Sequence, residues 1–358
     1  MLIDLKIQNF FSEKYYLDNC LIAGRANVIL YSIFKTLPQG AKVIFPAIMC
    51  PSPLFVARSC GVVPVLCDVD VKTGLMNKAS LEECLKNYGT VSAVLCVNLY
   101  GQRPNYQEIY ALCKKQNILL IEDACQGWSP NNIGKDVDVV LMSFGSKKPF
   151  DSNGGGLGLT NNRELFDRIC ENVQSILFTD NDKIQSLAFF YNKIYYMLQD
   201  WGKITEGAQK NLAGFQDILK ELYFKDMKGV DPKLILTSLL NFKENFRSRF
   251  VIAKKYEEFF AMTNIFECFM ELEADVGPWR YGVLFKGQNR ERFMSTLRDK
   301  DIDVSSWYPS LEKLGFDNGG LELKNAHQFG EQIVNFWVSD ISNEKLSQSL
   351  DIIDSYKD

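Results

Sequence analysis

Residues 118–148 read ILLIEDACQGWSPNNIGKDVDVVLMSFGSKK. Two apolar runs stand in this stretch, Ile118 to Glu122 and Val137 to Phe144, and each closes on polar residues. Neither run alternates apolar with polar. Strands of that kind are buried on both faces, as in a parallel sheet covered by helices on both sides. Working outward, Lys42 to Phe45, Val62 to Val69 and Val91 to Tyr100 have the same texture. Helical patterns fall between them at Ala26 to Thr36, Ser80 to Asn87 and Asn105 to Gln116. Ser80 precedes Glu83 by three, which is capping-box spacing. After Gly154-Gly155-Gly156 a short strand, Leu157 to Thr160, leads into a helix from about Asn162. Strands alternating with helices predict an α/β fold with a mostly parallel central sheet.

The texture changes over residues 171–228, which are rich in aromatics and helix formers, notably LAFFYNKIYYML at 187–198. This segment reads as helical and packed on a core or a second subunit. A long helix is expected from Asp231 to Phe260. It is followed by a strand near Trp279 to Phe285, a helix Arg290 to Lys300, a strand Ile333 to Val338 and a helix Glu344 to Tyr356. The expected division is a large α/β domain over 1–228, carrying the helical segment 171–228, and a small C-terminal α+β domain over 229–358 that opens with the long helix.

The chain has 358 residues, 46% of them hydrophobic and 23% charged, and 40 basic against 44 acidic side chains give a net charge of −4. That composition belongs to an ordered globular chain. The charge balance argues against a partner such as nucleic acid or an anionic membrane surface. The single histidine, His327, leaves almost no material for a multi-histidine zinc site or a Ser-His-Asp triad. His327 itself reads as structural or exposed. The ten cysteines are scattered singly, without a C-x-x-C pair, and read as small core residues in a reducing compartment. No apolar run reaches the length of a membrane span, and residues 1–16 lack an apolar signal core. A cytoplasmic location is expected.

Three polar features lie at predicted strand ends, where ligands bind in open α/β sheets. The first is Glu122-Asp123-Ala124-Cys125-Gln126. A carboxylate there can act as counter-ion to a buried cation, or simply cap a helix. The second is Ser143 to Lys148 before Pro149 and the glycine triplet. Two lysines in a loop are commonly solvated. Held in a pocket, one of them would have a lowered pKa and could form a Schiff base. The third is Gly24-Arg25-Ala26 before a helix, where free N–H groups and the Arg25 charge suit a phosphate, or make only a turn. A phosphate cup, an acid and a lysine in this order are together what pyridoxal phosphate requires.

Here the chain resembles the DegT/DnrJ/EryC1/StrS family of pyridoxal-phosphate-dependent sugar aminotransferases, which have fold type I. GVVPVLCDVDVKTGLMN (61–77) resembles its "GA-x-PVFVDVD-x-x-T" stretch, and VNLYGQRPNYQEI (97–109) resembles "VHLYGQ-x-x-x-x-x-x-I". IEDACQ (121–126) resembles "IEDAAQ", SFGSKK (143–148) "SF-x-x-TK", SNGGGLGLT (152–160) "GEGGxxxT", and DIDVSSWYP (301–309) "GI-x-x-x-x-YP". The resemblance implies roles residue by residue. Asp123 is the partner of the pyridine nitrogen. Gln126 lies near the phenolic oxygen. Ser143 binds phosphate, and Lys148, fifth after it, is the Schiff-base lysine, with Lys147 at a usual threonine. Gly24, Arg25 and Ala26 match the phosphate turn "GT-x-A". Trp307 and Tyr308 can wall the substrate site, or pack as ordinary aromatics.

There are departures. Arg25 replaces threonine. Cys50 stands where an aromatic often stacks on the cofactor ring, so that Phe55 is an alternative cover. Gly154 replaces an acid and Trp128 a histidine. Residues 222–227, LYFKDM, only distantly echo "GFNYRM". The implied activity is transfer of an amino group from a donor such as L-glutamate to a keto-sugar, nucleotide-linked, by a homodimer. Two alternatives stay open at this point. One is a sugar dehydratase or an aminotransferase for a small keto compound. The other is a catalytically silent cofactor-binding homologue with a regulatory role. Dehydratases of the group often carry histidine in place of the lysine, so Lys148 favours transamination.

Overall fold

The computed structural model describes residues 2–178, 183, 222–314, 320–339 and 341–356. The aromatic stretch at 187–201 and most of the segment 171–228 lie outside the described residues.

The six strands read from the first half of the sequence, with one more, form a seven-stranded sheet. They are β1 (Asn19–Ala23), β2 (Lys42–Pro46), β3 (Val63–Cys67), β4 (Ala93–Val97), β5 (Leu119–Asp123), β6 (Val139–Ser143) and β7 (Gly156–Thr160), in the spatial order β1-β7-β6-β5-β4-β2-β3. The pairs from β3 through β6 are parallel. The β7 strand runs antiparallel to both β6 and β1. The sequence reading had no place for β1, nor for helix α1 (Leu2–Tyr15) before it. Both are short of regular periodicity, and α1 buries only Ile7, Phe10 and Phe11.

Helices cover both faces. Val43, Phe45, Leu95 and Ile121 point to one side, into a cluster with Val28, Ile29 and Ile33 of α2 (Ala26–Phe34). Ile44, Val94, Cys96 and Leu120 point to the other, against α4 (Lys78–Tyr88) and α5 (Tyr106–Lys115). Successive strand residues alternate between faces and both faces are apolar, so the runs had to be hydrophobic throughout. Cys67, Cys84, Cys96 and Cys113 sit in the second cluster as small apolar groups, and all ten cysteines are free. The α3 helix (Ser52–Ser59) packs beside α2.

Several boundaries differ from the sequence reading. The cap of α4 is Asn77, not Ser80. Asn77 accepts from the Ser80 N–H, and Ser80 answers from the third helical position. The expected helix from Asp231 to Phe260 is two helices, α7 (Pro232–Leu240) and α8 (Phe242–Phe260), divided at Asn241. Asn241 sits at φ −95°, ψ 12°, outside helical geometry, and no change of periodicity announced it. The run Val91 to Tyr100 is strand only to Val97, because Tyr100 turns the chain at φ 57°. Between β7 and α7 lies α6 (Arg163–Gln174).

A second sheet, β10-β11-β9-β8, is antiparallel. It contains β8 (Phe266–Cys268), β9 (Arg280–Phe285), β10 (Val304–Ser305) and β11 (Ile333–Trp337). The helices α9 (Arg290–Arg298), α10 (Lys324–Gln332) and α11 (Asn343–Asp354) accompany it. Tyr281, Val283 and Phe336 join the same hydrophobic cluster as the first sheet. No helix among the described residues is long and apolar enough to cross a membrane. His327 is on α10, half-exposed, with Nε2 2.6 Å from Glu312.

One buried ion pair fixes the end of β5. Glu122 is fully buried and meets Arg103 Nε at 3.1 Å. The Asn98 amide (2.9 Å) and the Gly134 N–H (3.0 Å) donate to the same carboxylate. Removing the cation would leave a buried, uncompensated charge. Arg103→Ala is therefore expected to lower unfolding free energy by about 3–5 kcal/mol, read from the urea midpoint. A loss under about 1 kcal/mol would show that solvent reaches Glu122.

Candidate active site

The antiparallel insertion of β7 brings three distant segments into one row. Ala23 of β1 and Ser143 of β6 both pair with Gly156 of β7. The backbone beyond is tied as well: Gly155 N–H donates to Gly24 O (3.1 Å), and Phe144 N–H to Gly155 O (3.0 Å). Gly154 and Gly155 have φ of 147° and 100°, which a residue with a Cβ resists. An added Cβ at Gly156 would run into the Ala26 backbone, and at Gly24 into the carbonyls of Lys225 and Asp226. The glycines are thus required by close packing of backbone on backbone.

Around this row lies a cleft of about 810 Å³. The residues given a cofactor or substrate role by the family resemblance line it: Gly24, Arg25, Ala26, Cys50, Asp123, Gln126, Ser143, Lys148, Trp307 and Tyr308. At one end the N-terminus of α2 opens into the cleft through Ala26 and Asn27, with Arg25 as the cap residue. Lys225 joins it, and burial together with the charge of Arg25 lowers the Lys225 ammonium pKa. Two cations, a helix N-terminus and Ser143 form an anion cup.

On the floor, Asp123 closes β5 and is buried. Its Oδ1 accepts from the Cys125 N–H at 2.9 Å. Burial raises its carboxyl above the ordinary range, while the hydrogen bonds from Cys125 and the charge of Lys148 pull it back. Lys148 is half-buried and Lys147 exposed. Lys148 Nζ lies 5.2 Å from the Trp279 ring centroid, whereas Lys147 Nζ is turned toward Trp337, 6.0 Å from its centroid. Lys147 has φ 65°, and its N–H donates to Asp151. Both lysines line the cleft, each near a different tryptophan of the same wall.

Gln126 Oε1 accepts from the Tyr100 N–H at 3.0 Å, and its amide lies 3.5 Å from the Tyr308 hydroxyl. Tyr100 stacks with Tyr308 and donates its hydroxyl to the carbonyl of Trp307. Burial pushes the Cys50 thiol up, so it is a neutral wall and not a nucleophile. Phe55 is packed in the core and is not among the residues lining the cleft.

The model of the DegT/DnrJ/EryC1/StrS aminotransferase family matches residues 23–348. The chain belongs to this family. It is similar to the GDP-perosamine synthase of Escherichia coli O157:H7, 27% identical over 169 residues, 46% of each chain. It is also similar to the 3-oxo-glucose-6-phosphate:glutamate aminotransferase of Bacillus subtilis, 29% identical over 193 residues, 51% of this chain and 43% of that one. The matches thus span about half the length of these curated relatives. Among solved structures, NtdA of Bacillus subtilis with bound cofactor PMP superposes with a TM-score of 0.69 at 18% identity, over 99% of this chain and 77% of that one.

Against the family pattern, Trp128 is fully buried in an aromatic cluster with Phe11, Phe150, Phe242 and Phe246, and does not line the cleft. The distant echo at 222–227 proves to be close to the site, since Leu222 and Lys225 both line it. The sequence reading missed Lys225, Ser52 and the wall made by Trp279, Arg280, Asn335 and Trp337. A tryptophan and an arginine opening an otherwise apolar run at 279–285 were the available signal.

A carboxyl with a raised folded-state pKa disfavours folding once pH passes its unfolded value of about 3.9, and the penalty grows until the folded pKa is reached. Asp123→Asn can still accept from the Cys125 N–H. It is expected to raise the urea midpoint of the cofactor-free protein at pH 7, with the gain vanishing as pH falls to about 4. A gain independent of pH would show that ionisation of Asp123 is not its origin.

Proposed function

We propose that this chain is a pyridoxal-phosphate-dependent aminotransferase that converts a nucleotide-linked keto-sugar to an amino-sugar, with an amino acid such as L-glutamate as donor. The observation that carries this reading is the convergence of the anion cup, Asp123 and Lys148 on one cleft. The residues fit the cofactor. A dianionic phosphate suits Arg25, Lys225, Ser143 and the α2 N-terminus, and a pyridinium suits a buried carboxylate lacking a full counter-charge. The names of the relatives, a GDP-sugar enzyme and a glutamate-dependent sugar-phosphate aminotransferase, support the substrate classes.

When bound, pyridoxal phosphate supplies an electron sink for negative charge developing on the substrate carbon. Asp123 keeps the ring nitrogen protonated, and Cys125 fixes the carboxylate's orientation through its N–H. Gln126, held by the Tyr100 N–H, would lie near the phenolic oxygen. Lys148 would hold the cofactor through its side-chain amine, and the same amine would be placed to move a proton. Trp307 and Tyr308 wall the substrate side. Retention of Lys148 favours transamination over dehydration. The same reading places the domain boundary near residue 228, with the cleft between the two parts. Ten free cysteines suit a reducing cytoplasm.

Reduction of the pyridoxal-phosphate-loaded protein with borohydride should leave a pyridoxyl group on Lys148, read by peptide mapping. A label on Lys147 would overturn the assignment. Asp123→Asn should keep that label yet slow the absorbance change with L-glutamate by about 100-fold or more.

The proposed assembly is a homodimer. The α1 helix packs on α7, and together they leave Leu2, Leu5, Leu234 and Leu240 exposed, which a second copy can cover. Light scattering should return twice the chain mass of 40.9 kDa. A soluble monomer that turns over substrate would refute the dimer.

A further inference from the structure

Lys147 stands where the family usually has threonine, and its backbone is fixed on both sides. Its N–H donates to Oδ2 of Asp151 at 2.8 Å, and its carbonyl accepts from Trp279 Nε1 at 2.7 Å. Asp151 is itself placed by the Asn153 N–H, which donates to Oδ1 at 3.0 Å. The residue is held at φ 65°, in the left-handed region that glycine enters at lower cost. A side chain kept at such a position points to a use for it. The Lys147 side chain is exposed and lines the cleft, with Nζ 6.0 Å from the ring centroid of Trp337. Among the described residues, its Nζ makes no hydrogen bond and no ion pair. The stem is anchored and the charged tip is open, so the lysine offers phosphate a positioned point charge.

Charge balance selects the anion. Six cationic and two acidic side chains line the cleft, a formal excess of four positive charges. A cofactor phosphate in the cup brings about two negative charges and leaves about two positive ones unmatched. L-glutamate carries a net charge of about −1. A phosphate monoester, or the diphosphate of a nucleotide-linked sugar, brings about −2. The other cations already have tasks. Arg25 and Lys225 belong to the cup. Arg280 donates to Oδ1 of Asn335 at 2.9 Å, and Arg298 directs Nε and Nη2 to the carbonyl of Val304. The acid on this wall, Asp303, accepts from Trp337 Nε1. We infer that Lys147 receives a phosphate group of the keto-sugar, carried on the sugar itself or in a nucleotide diphosphate, and is a specificity-determining residue for the acceptor. The inference rests on the aminotransferase reading and deepens it by naming the side chain that answers the acceptor's charge.

The test titrates holoenzyme loaded with pyridoxamine phosphate, by calorimetry, with uridine diphosphate, guanosine diphosphate and glucose 6-phosphate. Wild type is compared with Lys147→Gly and Lys147→Arg. Glycine adopts φ 65° freely and keeps both backbone contacts, so a loss in Lys147→Gly belongs to the side chain. Wild type should bind at least one probe, and Lys147→Gly should weaken that binding by about 10-fold or more. The difference should shrink as ionic strength rises from about 0.05 to about 0.5 M, and Lys147→Arg should restore most of the affinity. Failure of wild type to bind any of the three probes, or equal affinities in wild type and Lys147→Gly, would overturn the inference. Lys147-dependent binding of a nucleoside diphosphate supports it with a nucleotide-linked acceptor. Lys147-dependent binding of glucose 6-phosphate alone supports it with phosphate on the sugar, and sinks the nucleotide link. The donor half-reaction with L-glutamate is followed by cofactor absorbance. A loss of affinity for L-glutamate in Lys147→Gly as large as that for the phosphate probe would put Lys147 at the donor and overturn the inference. Wild-type holoenzyme inert toward L-glutamate would instead sink the aminotransferase reading, with the titrations still deciding what Lys147 binds.

Discussion

The whole cleft depends on one close contact, backbone against backbone, where the glycine triplet at the start of β7 meets the turn after β1. Gly155 donates to Gly24 O, Phe144 donates to Gly155 O, and Gly156 lies so close to Ala26 that no side chain fits between them. Those contacts set the N-terminus of α2 beside Ser143, and they bring residues 225–226 down onto Gly24. In the proposed reading, a phosphate would be held chiefly by backbone geometry, to which Arg25 and Lys225 add charge.

Electrostatics divides the cleft into zones. Positive charge gathers at the cup, where Arg25 depresses its neighbour Lys225. Negative charge comes from Asp303, which lines the cleft, and from Asp123, buried at the end of β5 and steadied by Cys125. Beneath it, the Arg103–Glu122 pair compensates the one other carboxylate at the end of β5. On the far wall, Lys148 and Arg280 both lie close to the Trp279 ring.

Much of this was legible in the residues. Uniformly apolar runs fixed the parallel strands, since a strand covered on both faces has no polar position to offer. Asp123, Ser143 and Lys148 stand at ends of such runs, and the chain puts functional groups there because strand ends open onto the crevice. The family resemblance, through the five-residue offset from Ser143, singled out Lys148 over Lys147, and both lysines line the cleft. Asn241 was not legible. A single residue leaving helical geometry divides α7 from α8 without disturbing the apolar period on either side.

The sequence by itself pointed to six of the seven strands of the first sheet, to the family and to the cleft residues at the strand ends, because each rests on local pattern or on motifs contiguous in the chain. Only the tertiary structure decided which distant residues complete the cleft. Lys225 reaches Arg25 because Gly24 admits the 225–226 backbone. Arg280 joins the cleft wall because antiparallel register sets it against Trp337, while Trp279, one residue earlier, bonds to the Lys147 carbonyl. Phe55 is excluded and Trp128 buried by the same packing. These outcomes follow from how far apart in sequence the partners lie, since no local propensity records a contact across more than a hundred residues.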